Sequence, residues 1–313
     1  MSVDVAAYRA AEAALWSAFG CEPSEEHHVR LPATGTSVRV QEVGAGPPAL
    51  FLHGGPNAGS TWVPLVTHLD GLRCLLVDRP GTGLSAPYPI TASNLHRIGA
   101  RFVSELLDGL GIGRAHVVAS SFGGHLALRS AAAHPDRFLR MVQMAAPALV
   151  PGDTIPPFMR LMARSSVRRV MHALPPTERA GRAILRQIGH GTSLDAGRIP
   201  PAFFAWYLAL QRHTDTMRND GEMIGAAMPR WDAIRLTDDL LASAAVPTLF
   251  WWGADDTFGG EVVARHLVEV MPDARLTMVP DAGHLPWLDD AEAAAAATSA
   301  FLCSPVLQPR QGS

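Results

Sequence analysis

The sequence predicts an α/β fold with a mostly parallel central sheet of about eight strands, helices on both faces of the sheet, and a helical insertion. Short apolar runs alternate with segments of helical periodicity along most of the chain. Strands that are buried on both faces read as continuous apolar runs, and such strands are typical of parallel sheets. The 313-residue chain is 48% hydrophobic and 18% charged, which suits one large buried core.

The first elements are a helix, a hairpin and two buried strands. Apolar side chains at helical spacing predict a helix over 5–19, and the stretches 27–31 and 37–43 predict a hairpin. The apolar runs 49–52 and 74–77 predict buried strands. The first run ends at the turn HGGP and the second at DRPGTG, so both strands stop at glycine-rich turns.

The alternation of strand and helix continues further along the chain. Short apolar runs predict strands over 116–119, 141–145, 248–252 and 275–279. Helical periodicity predicts helices over 92–111, from about 124 to 134, and over 260–270.

These patterns divide the chain into a core and additions to it. A helical extension over 1–26 precedes a core formed by 27–150 and 246–303. Between the two parts of the core, 151–245 has methionines, arginines, aromatic residues and Pro-Pro breaks without a strand pattern, which predicts a helical insertion. The tail 304–313 is rich in proline and glutamine and is expected to be flexible.

Composition excludes several classes of function. The formal net charge of −3 gives no basic field that would attract nucleic acid or an anionic membrane. The chain has no lysine, which removes Schiff-base chemistry. Cys21, Cys74 and Cys303 fit neither a disulfide framework nor the spacing of a metal site. The N-terminus lacks the pattern of a signal peptide, so we expect a cytoplasmic protein, monomeric or homodimeric, that binds a small molecule.

The candidate nucleophile lies where the strand 116–119 runs into the sequence ASSFGG. A small residue two positions before Ser121 and a glycine two positions after it allow a sharp turn that exposes the Ser121 hydroxyl. Ala119 stands where this G-x-S-x-G pattern usually has glycine. Ser120 is adjacent, but the turn points its side chain away from the site. A serine at this place can also simply cap the following helix, and the other strand ends favour the nucleophile.

Two further strand ends supply a base and an acid. The sequence DAGH follows the strand 275–279, and its His284 is the candidate general base. The sequence GADD follows the strand 248–252, where Asp256 is favoured over Asp255 as the orienting acid because the loop needs a few residues to reach the histidine. The remaining aspartate is suited to capping the next helix.

A serine nucleophile with a base and an acid is suited to acyl transfer, in which an oxyanion forms that needs hydrogen-bond donors. We expect these donors to be the backbone N–H groups of Gly55 and Phe122. Phe122 lies at the positive end of the helix that follows the nucleophile. Glycine in the HGGP turn lets the backbone approach a substrate oxygen. No metal or organic cofactor is implied.

The chain resembles the α/β-hydrolase superfamily over about 27–303, apart from the insertion. The motifs HGGP, DRPGTGLS, ASSFGG, GADD and AGH carry the resemblance, and the order Ser121, Asp256, His284 is the order of that superfamily. The resemblance implies the α/β-hydrolase fold, a Ser-His-Asp triad, and a cap over the active site formed by 151–245.

The resemblance also narrows the reaction. Epoxide hydrolases and haloalkane dehalogenases have aspartate where this chain has Ser121, and proline iminopeptidases carry a DQRG-like segment where it has DRPG. We expect a serine hydrolase that cleaves an ester, lactone or related acyl bond of a small hydrophobic substrate. A C–C bond hydrolase, an acyltransferase, and a lyase or cyclase of a biosynthetic pathway stay open as alternatives, as does a non-catalytic small-molecule receptor.

The substrate site is predicted from residues near these motifs and in the insertion. Apolar and aromatic side chains suit a hydrophobic ligand. The predicted substrate-binding residues are His53, Gly54, Phe204, Trp206, Tyr207, Phe258 and Leu285. Twelve arginines against nine acidic residues in the insertion also suggest a carboxylate substrate, although a solvated helix face explains them as well.

Overall fold

A computed structural model describes residues 3–304 and has one eight-stranded sheet in the order β1-β2-β4-β3-β5-β6-β7-β8. Its strands are β1 (Glu25–Leu31), β2 (Thr36–Val43), β3 (Pro48–Leu52), β4 (Arg73–Val77), β5 (Ala115–Ser120), β6 (Phe138–Met144), β7 (Thr248–Gly253) and β8 (Ala274–Val279). Strand β2 runs antiparallel to both of its neighbours, and the other pairs are parallel. The predicted fold class is confirmed.

Fourteen α-helices accompany the sheet in the described residues. In the core they are α1 (Val5–Ala18), α2 (Val63–Val66), α3 (Leu95–Gly109), α4 (Ser121–Ala133), α13 (Glu261–Val270) and α14 (Ala291–Leu302). Between β6 and β7 they are α5 (Pro157–Met162), α6 (Ser165–Ala173), α7 (Glu178–Gln187), α8 (Gly191–Asp195), α9 (Pro201–His213), α10 (Thr216–Ala227), α11 (Trp231–Ile234) and α12 (Asp238–Ser243).

The core lies on both faces of the sheet, as expected for parallel strands. Every residue of β5 is buried, and β3 and β4 each have four buried residues in a row. One apolar cluster covers each face of the sheet, with α3 and α4 packed on one side and α14 on the other. The carboxyl ends of β3, β5, β6, β7 and β8 therefore meet at one edge, and the candidate site lies there.

Helix α3 starts three residues later than its periodicity predicts. The amide of Thr91 donates to the side chain of Asn94 at 2.8 Å, which closes a turn immediately before the first helical residue. Such side-chain-to-backbone hydrogen bonds compete with helix formation, so residues 92–94 belong to the turn.

The residues between β6 and β7 are all described, and they form helices α5–α12 without a strand. This is the range in which the sequence loses its strand pattern. Residues 151–245 are called the helical insertion below. The predicted flexible tail lies almost entirely outside the described residues. Among residues 3–304, no helix is both long enough and apolar enough to cross a bilayer.

Helix α1 packs against helix α9 of the insertion. Tyr8 and Trp16 of α1 are almost fully buried, and the indole N–H of Trp206 donates to the Tyr8 hydroxyl at 3.3 Å. Glu12 of the same helix forms a buried ion pair with Arg39 of β2. The N-terminal helix thus connects the insertion to the sheet, a role that its amphipathic pattern alone does not specify.

Candidate active site

Ser121 stands at the junction of β5 and α4 with a φ of +52°. This backbone conformation is rare for a residue with a side chain and occurs where surrounding structure enforces it. A Cβ at position 123 would lie 2.1 Å from the carbonyl oxygen of Leu52, so this position must be glycine. A Cβ at position 54 would lie 2.6 Å from the Cβ of Ser121. The two glycines allow β3 and its turn to approach the serine.

The neighbouring serine occupies a different environment. Ser120 is fully buried at the end of β5, whereas Ser121 lines two cavities at the strand edge. Of the two adjacent hydroxyls, only that of Ser121 is therefore placed to meet a ligand. Ala119 is an ordinary buried strand residue, and its backbone does not require glycine.

His284 lies in the loop after β8 and shares both cavities with Ser121. Its Nδ1 lies 3.0 and 2.9 Å from the two carboxylate oxygens of Asp256, and its ring packs on Phe258 with 4.1 Å between centroids. A carboxylate only accepts, so Nδ1 carries the proton and Nε2 has a free lone pair. No described group hydrogen-bonds Nε2, which leaves it available to a hydroxyl proton.

Asp256 follows β7, and its carboxylate accepts two backbone hydrogen bonds in addition to the histidine. The amide of Ala146 donates to it at 3.0 Å and the amide of Phe258 at 2.9 Å. These two donors hold the carboxylate in place, and the carboxylate in turn orients the ring of His284. Asp255 has an exposed side chain. The structure thus brings Asp256, and not Asp255, to the histidine.

The HGGP turn places Gly55 at the same two cavities. The carbonyl oxygen of the preceding residue, Gly54, lies 2.6 Å from Nδ1 of His53 and accepts from Nη2 of Arg79 at 3.0 Å. The C=O and N–H of one trans peptide point in opposite directions. Two donors on the Gly54 oxygen therefore direct the Gly55 N–H away from Arg79. The N–H of Phe122 lies in the first turn of α4, where helix amides have no intrahelical acceptor.

The side chain of His53, the first residue of HGGP, stabilises this turn through hydrogen bonds. The backbone N–H of Arg79 donates to its Nε2 at 3.2 Å, so Nδ1 carries the proton that reaches Gly54. Burial, with a smaller contribution from the charge of Arg79, lowers the pKa of His53 well below its usual value. The ring is therefore neutral, which this pair of bonds requires.

Arg79 connects the turn to the helical insertion. Its guanidinium is fully buried and lies 2.8 Å from the carboxylate of Asp220 in α10. Burial raises the pKa of Asp220, and the charge of Arg79 partly offsets this effect. A Cβ at position 55 would lie 2.6 Å from the same carboxylate. The ion pair thus lies directly against the turn that carries the candidate oxyanion donor.

Two cavities of about 70 and 90 Å³ both have Ser121 and His284 in their linings. We call the first the Trp231 cavity and the second the Tyr207 cavity, after a residue that lines only one of them. Both are lined by Gly55, Ser121, Met159, Ile224, Phe258 and His284. Insertion residues such as Met159 and Ile224 thus cover the strand ends that carry the polar groups.

The sequence profile described as alpha/beta hydrolase family matches residues 49–297. The chain belongs to the alpha/beta hydrolase family. It is 28% identical over 281 residues to the 2-hydroxy-6-oxononadienedioate/2-hydroxy-6-oxononatrienedioate hydrolase of Burkholderia vietnamiensis, which covers 87% of this chain and 93% of that protein. The predicted family and the predicted enzyme class, a hydrolase, are confirmed.

Solved structures have the same fold as this alpha/beta hydrolase. A carboxylesterase from Bacillus subtilis superposes with a TM-score of 0.73 at 20% identity, covering 96% of this chain and 98% of its own. The 2-hydroxy-6-oxo-6-phenylhexa-2,4-dienoate hydrolase from Rhodococcus sp. strain RHA1 has a TM-score of 0.72 at 17% identity, covering 90% and 99%. At these identities the likeness shows the fold alone.

The structure of this alpha/beta hydrolase places four of the seven predicted substrate residues at the cavities. Gly54, Tyr207 and Leu285 line the Tyr207 cavity, and Phe258 lines both. Ile224 was missed, because nothing in its sequence context distinguishes it from other apolar residues of the insertion. Residues 146–148 after β6 were also missed, since that strand end carries no polar motif.

The other three predicted substrate residues are not in the lining of either cavity. His53 lies under the HGGP turn with both ring nitrogens hydrogen-bonded. Phe204 is buried beneath the guanidinium of Arg182, 4.2 Å from its ring centroid, and Trp206 faces α1. Phe203 and Tyr207 of α9, one helical turn apart, face the cavity instead. The aromatic composition of α9 is visible in the sequence, but its rotation about the helix axis is not.

Within residues 3–304, three side chains approach one another closely enough to share a cation: Glu25, His27 and Glu42. They belong to the hairpin of β1 and β2 at the far end of the sheet order. His27 also lies 2.8 Å from the carboxylate of Glu42, which accounts for their proximity.

Proposed function

We propose that this alpha/beta hydrolase cleaves carboxylic esters or lactones that are uncharged and apolar on both sides of the scissile bond, with Ser121 as nucleophile. The observation that carries the proposal is the lining of the two cavities. Apolar side chains dominate both linings, and none of the twelve arginines of the insertion is among them. A substrate that extends from Ser121 into both cavities thus meets apolar surface on each side.

The charge near the Trp231 cavity supports the same conclusion. Asp153 lines this cavity and forms an ion pair with Arg235 at 2.7 Å. Burial raises the pKa of Asp153, and the charge of Arg235 counteracts this effect. A carboxylate on the substrate would meet an acid here without a free cation, which disfavours its binding.

The proposed mechanism uses the groups described above. Nε2 of His284 takes the proton of the Ser121 hydroxyl while its oxygen attacks the ester carbonyl. The backbone N–H groups of Gly55 and Phe122 donate hydrogen bonds to the carbonyl oxygen, on which negative charge develops. Collapse of the intermediate breaks the bond to the alcohol oxygen, which takes the proton from His284. Water activated by the same imidazole then hydrolyses the acyl-serine and releases the acid.

C–C bond hydrolysis is the second candidate, because the relative from Burkholderia vietnamiensis aligns over nearly its whole length and is named for a dienedioate substrate. Such a substrate is anionic. The same serine and histidine suit both reactions. The two candidates therefore differ in whether the cavities accept an anionic substrate.

The test compares kcat/KM for p-nitrophenyl butyrate with kcat/KM for 2-hydroxy-6-oxo-6-phenylhexa-2,4-dienoate. We expect the ester to be preferred by at least about 100-fold, since an unpaired buried charge costs several kcal/mol. Ser121→Ala should abolish the esterase activity, and a fluorophosphonate should label the wild type but not this variant. Preference for the dienoate would reject the ester proposal, and absence of labelling would reject the serine nucleophile.

A further inference from the structure

Three consecutive amides around His284, those of residues 283–285, each donate a hydrogen bond that holds the loop. The amide of Gly283 donates to the carboxylate of Asp289 at 2.9 Å. The amide of Leu285 donates to Nε2 of His190 at 3.1 Å. His190 comes from the helical insertion, so part of the insertion is bonded directly to the loop that carries the candidate base.

His190 and Asp289 form a second, fully buried histidine–carboxylate pair. Nδ1 of His190 lies 2.9 Å from the Asp289 carboxylate. Because Nε2 accepts from the amide of Leu285, the proton of the neutral ring resides on Nδ1 and is donated to Asp289. His190 thus bridges two groups: the Asp289 carboxylate, which accepts from the amide before His284, and the amide of Leu285, which follows His284.

The backbone around His190 also contacts the loop. The amide of His284 donates to the carbonyl oxygen of Ile188 at 2.9 Å. A Cβ at position 283 would lie 2.7 Å from that same carbonyl oxygen, and Gly189 has a φ of +100° with a Cβ position 2.2 Å from the carbonyl oxygen of Asp255. This packing leaves no space for the loop to shift towards the insertion.

We propose that His190, together with Asp289, is a positioning residue that orients the His284 loop so that Nε2 faces Ser121. The inference rests on the proposed function only in taking His284 as the base. The helical insertion would then complete the reaction centre, in addition to covering the cavities. An imidazole is suited to this task because its two nitrogens accept on one edge and donate on the other.

Two substitutions of His190 separate its two hydrogen bonds. In His190→Gln the side-chain oxygen can reach the position of Nε2 and accept from Leu285. In His190→Asn the amide nitrogen can take the position of Nδ1 and donate to Asp289, but Leu285 loses its acceptor. We expect His190→Asn to lower kcat by about 100-fold, because a displacement of about 1 Å at a catalytic group has that effect. His190→Gln should lose about 10-fold or less, with KM little changed in both variants.

The control variant is Leu194→Ala in α8 of the same segment, which creates a cavity without touching the polar contacts of the loop. Its free energy of unfolding should fall by at least as much as that of His190→Asn, while kcat stays near the wild-type value. An equal loss of kcat in Leu194→Ala would show that only stability matters, and would overturn the inference.

A second measurement makes the result independent of the ester proposal. The rate at which a fluorophosphonate labels Ser121 measures how well His284 activates the serine, whatever the natural substrate is. We expect His190→Asn to be labelled about 10- to 100-fold more slowly than wild type. Labelling of His190→Asn at the wild-type rate would reject the positioning role. Loss of ester turnover in the wild type with normal labelling would reject the ester proposal instead.

Discussion

Nη2 of Arg79 donates to the carbonyl oxygen of Gly54 at 3.0 Å, and this carbonyl belongs to the same peptide as the Gly55 N–H. The guanidinium therefore determines which way the candidate oxyanion donor points, and it polarises that peptide. The same nitrogen lies 2.8 Å from the Asp220 carboxylate, so the donor, the arginine and the insertion form one connected unit.

Arg79→Met should lower both stability and activity, and a double variant separates the two effects. The single change leaves the Asp220 carboxylate buried and unpaired, which costs about 3–5 kcal/mol. Arg79→Met with Asp220→Leu removes both charges and should recover much of that free energy of unfolding. We expect kcat for p-nitrophenyl butyrate to stay at least about 10-fold below wild type in both variants, because the Gly55 N–H is no longer fixed. Recovery of kcat along with stability would contradict this role.

The choice between two adjacent aspartates can be tested directly. Asp256→Asn removes the acceptor that keeps the proton of His284 on Nδ1, and we expect a loss of about 10⁴-fold in kcat. Asp255→Asn is the matched control, since the side chain of Asp255 is exposed and the carboxylate that bonds the histidine is that of Asp256, so the variant should remain near wild type. Steady-state kinetics on p-nitrophenyl butyrate measures both. Equal losses in the two variants would refute the assignment.

The fold and the polar residues at the strand ends were accessible from the sequence for a physical reason. Strands buried on both faces read as continuous apolar runs, and parallel strands place their carboxyl ends at one edge. Ser121 follows such a run directly, and His284 lies in the loop after the half-buried edge strand β8, so strand assignment was enough to bring them together.

The contacts that support the site were not accessible in this way. Arg79 and Asp220 are 141 positions apart in sequence, and His190 and Asp289 are 99 apart. One member of each pair belongs to the insertion, where helical periodicity predicts a helix but not which of its faces meets the core. Phe204 shows the same limit, because it is predicted to bind the substrate but its ring packs against Arg182 instead.

The alanine in the nucleophile turn can be exchanged for the usual glycine. Ala119 is a regular strand residue, so Ala119→Gly should only add conformational entropy to the unfolded chain and cost about 0.5–1 kcal/mol. We expect kcat to be unchanged. Gly123→Ala, by contrast, would place a Cβ 2.1 Å from the Leu52 carbonyl oxygen and should abolish activity or folding. Urea unfolding and esterase assays compare them, and a large loss of kcat in Ala119→Gly would contradict the unstrained strand geometry.

Buried neutral histidines should make the protein less stable in mild acid. Burial, assisted by the charge of Arg129, lowers the pKa of His125 to about 3. As the pH falls below 6.5, this histidine binds a proton in the unfolded chain but not in the folded protein. The free energy of unfolding that is present above pH 6.5 therefore decreases as the pH falls towards 3. The contribution is about 1.4 kcal/mol per pH unit. Urea unfolding between pH 7 and 4 should show this slope reduced by that amount in His125→Gln, while the exposed His28→Gln retains it. An unchanged slope in His125→Gln would contradict the neutral ring.

The two cavities predict that a substrate can be restricted on either side of Ser121 independently. Ala227 lines only the Trp231 cavity and Ile184 only the Tyr207 cavity of the two, so Ala227→Trp and Ile184→Trp each fill one of them. With esters enlarged on either the acyl or the alcohol side, each variant should lose about 10- to 200-fold in kcat/KM for one series, the range that small steric changes in an apolar pocket produce. The other series should change little, and the two variants should affect opposite series. If both substitutions impaired the same series, the substrate would not span the two cavities.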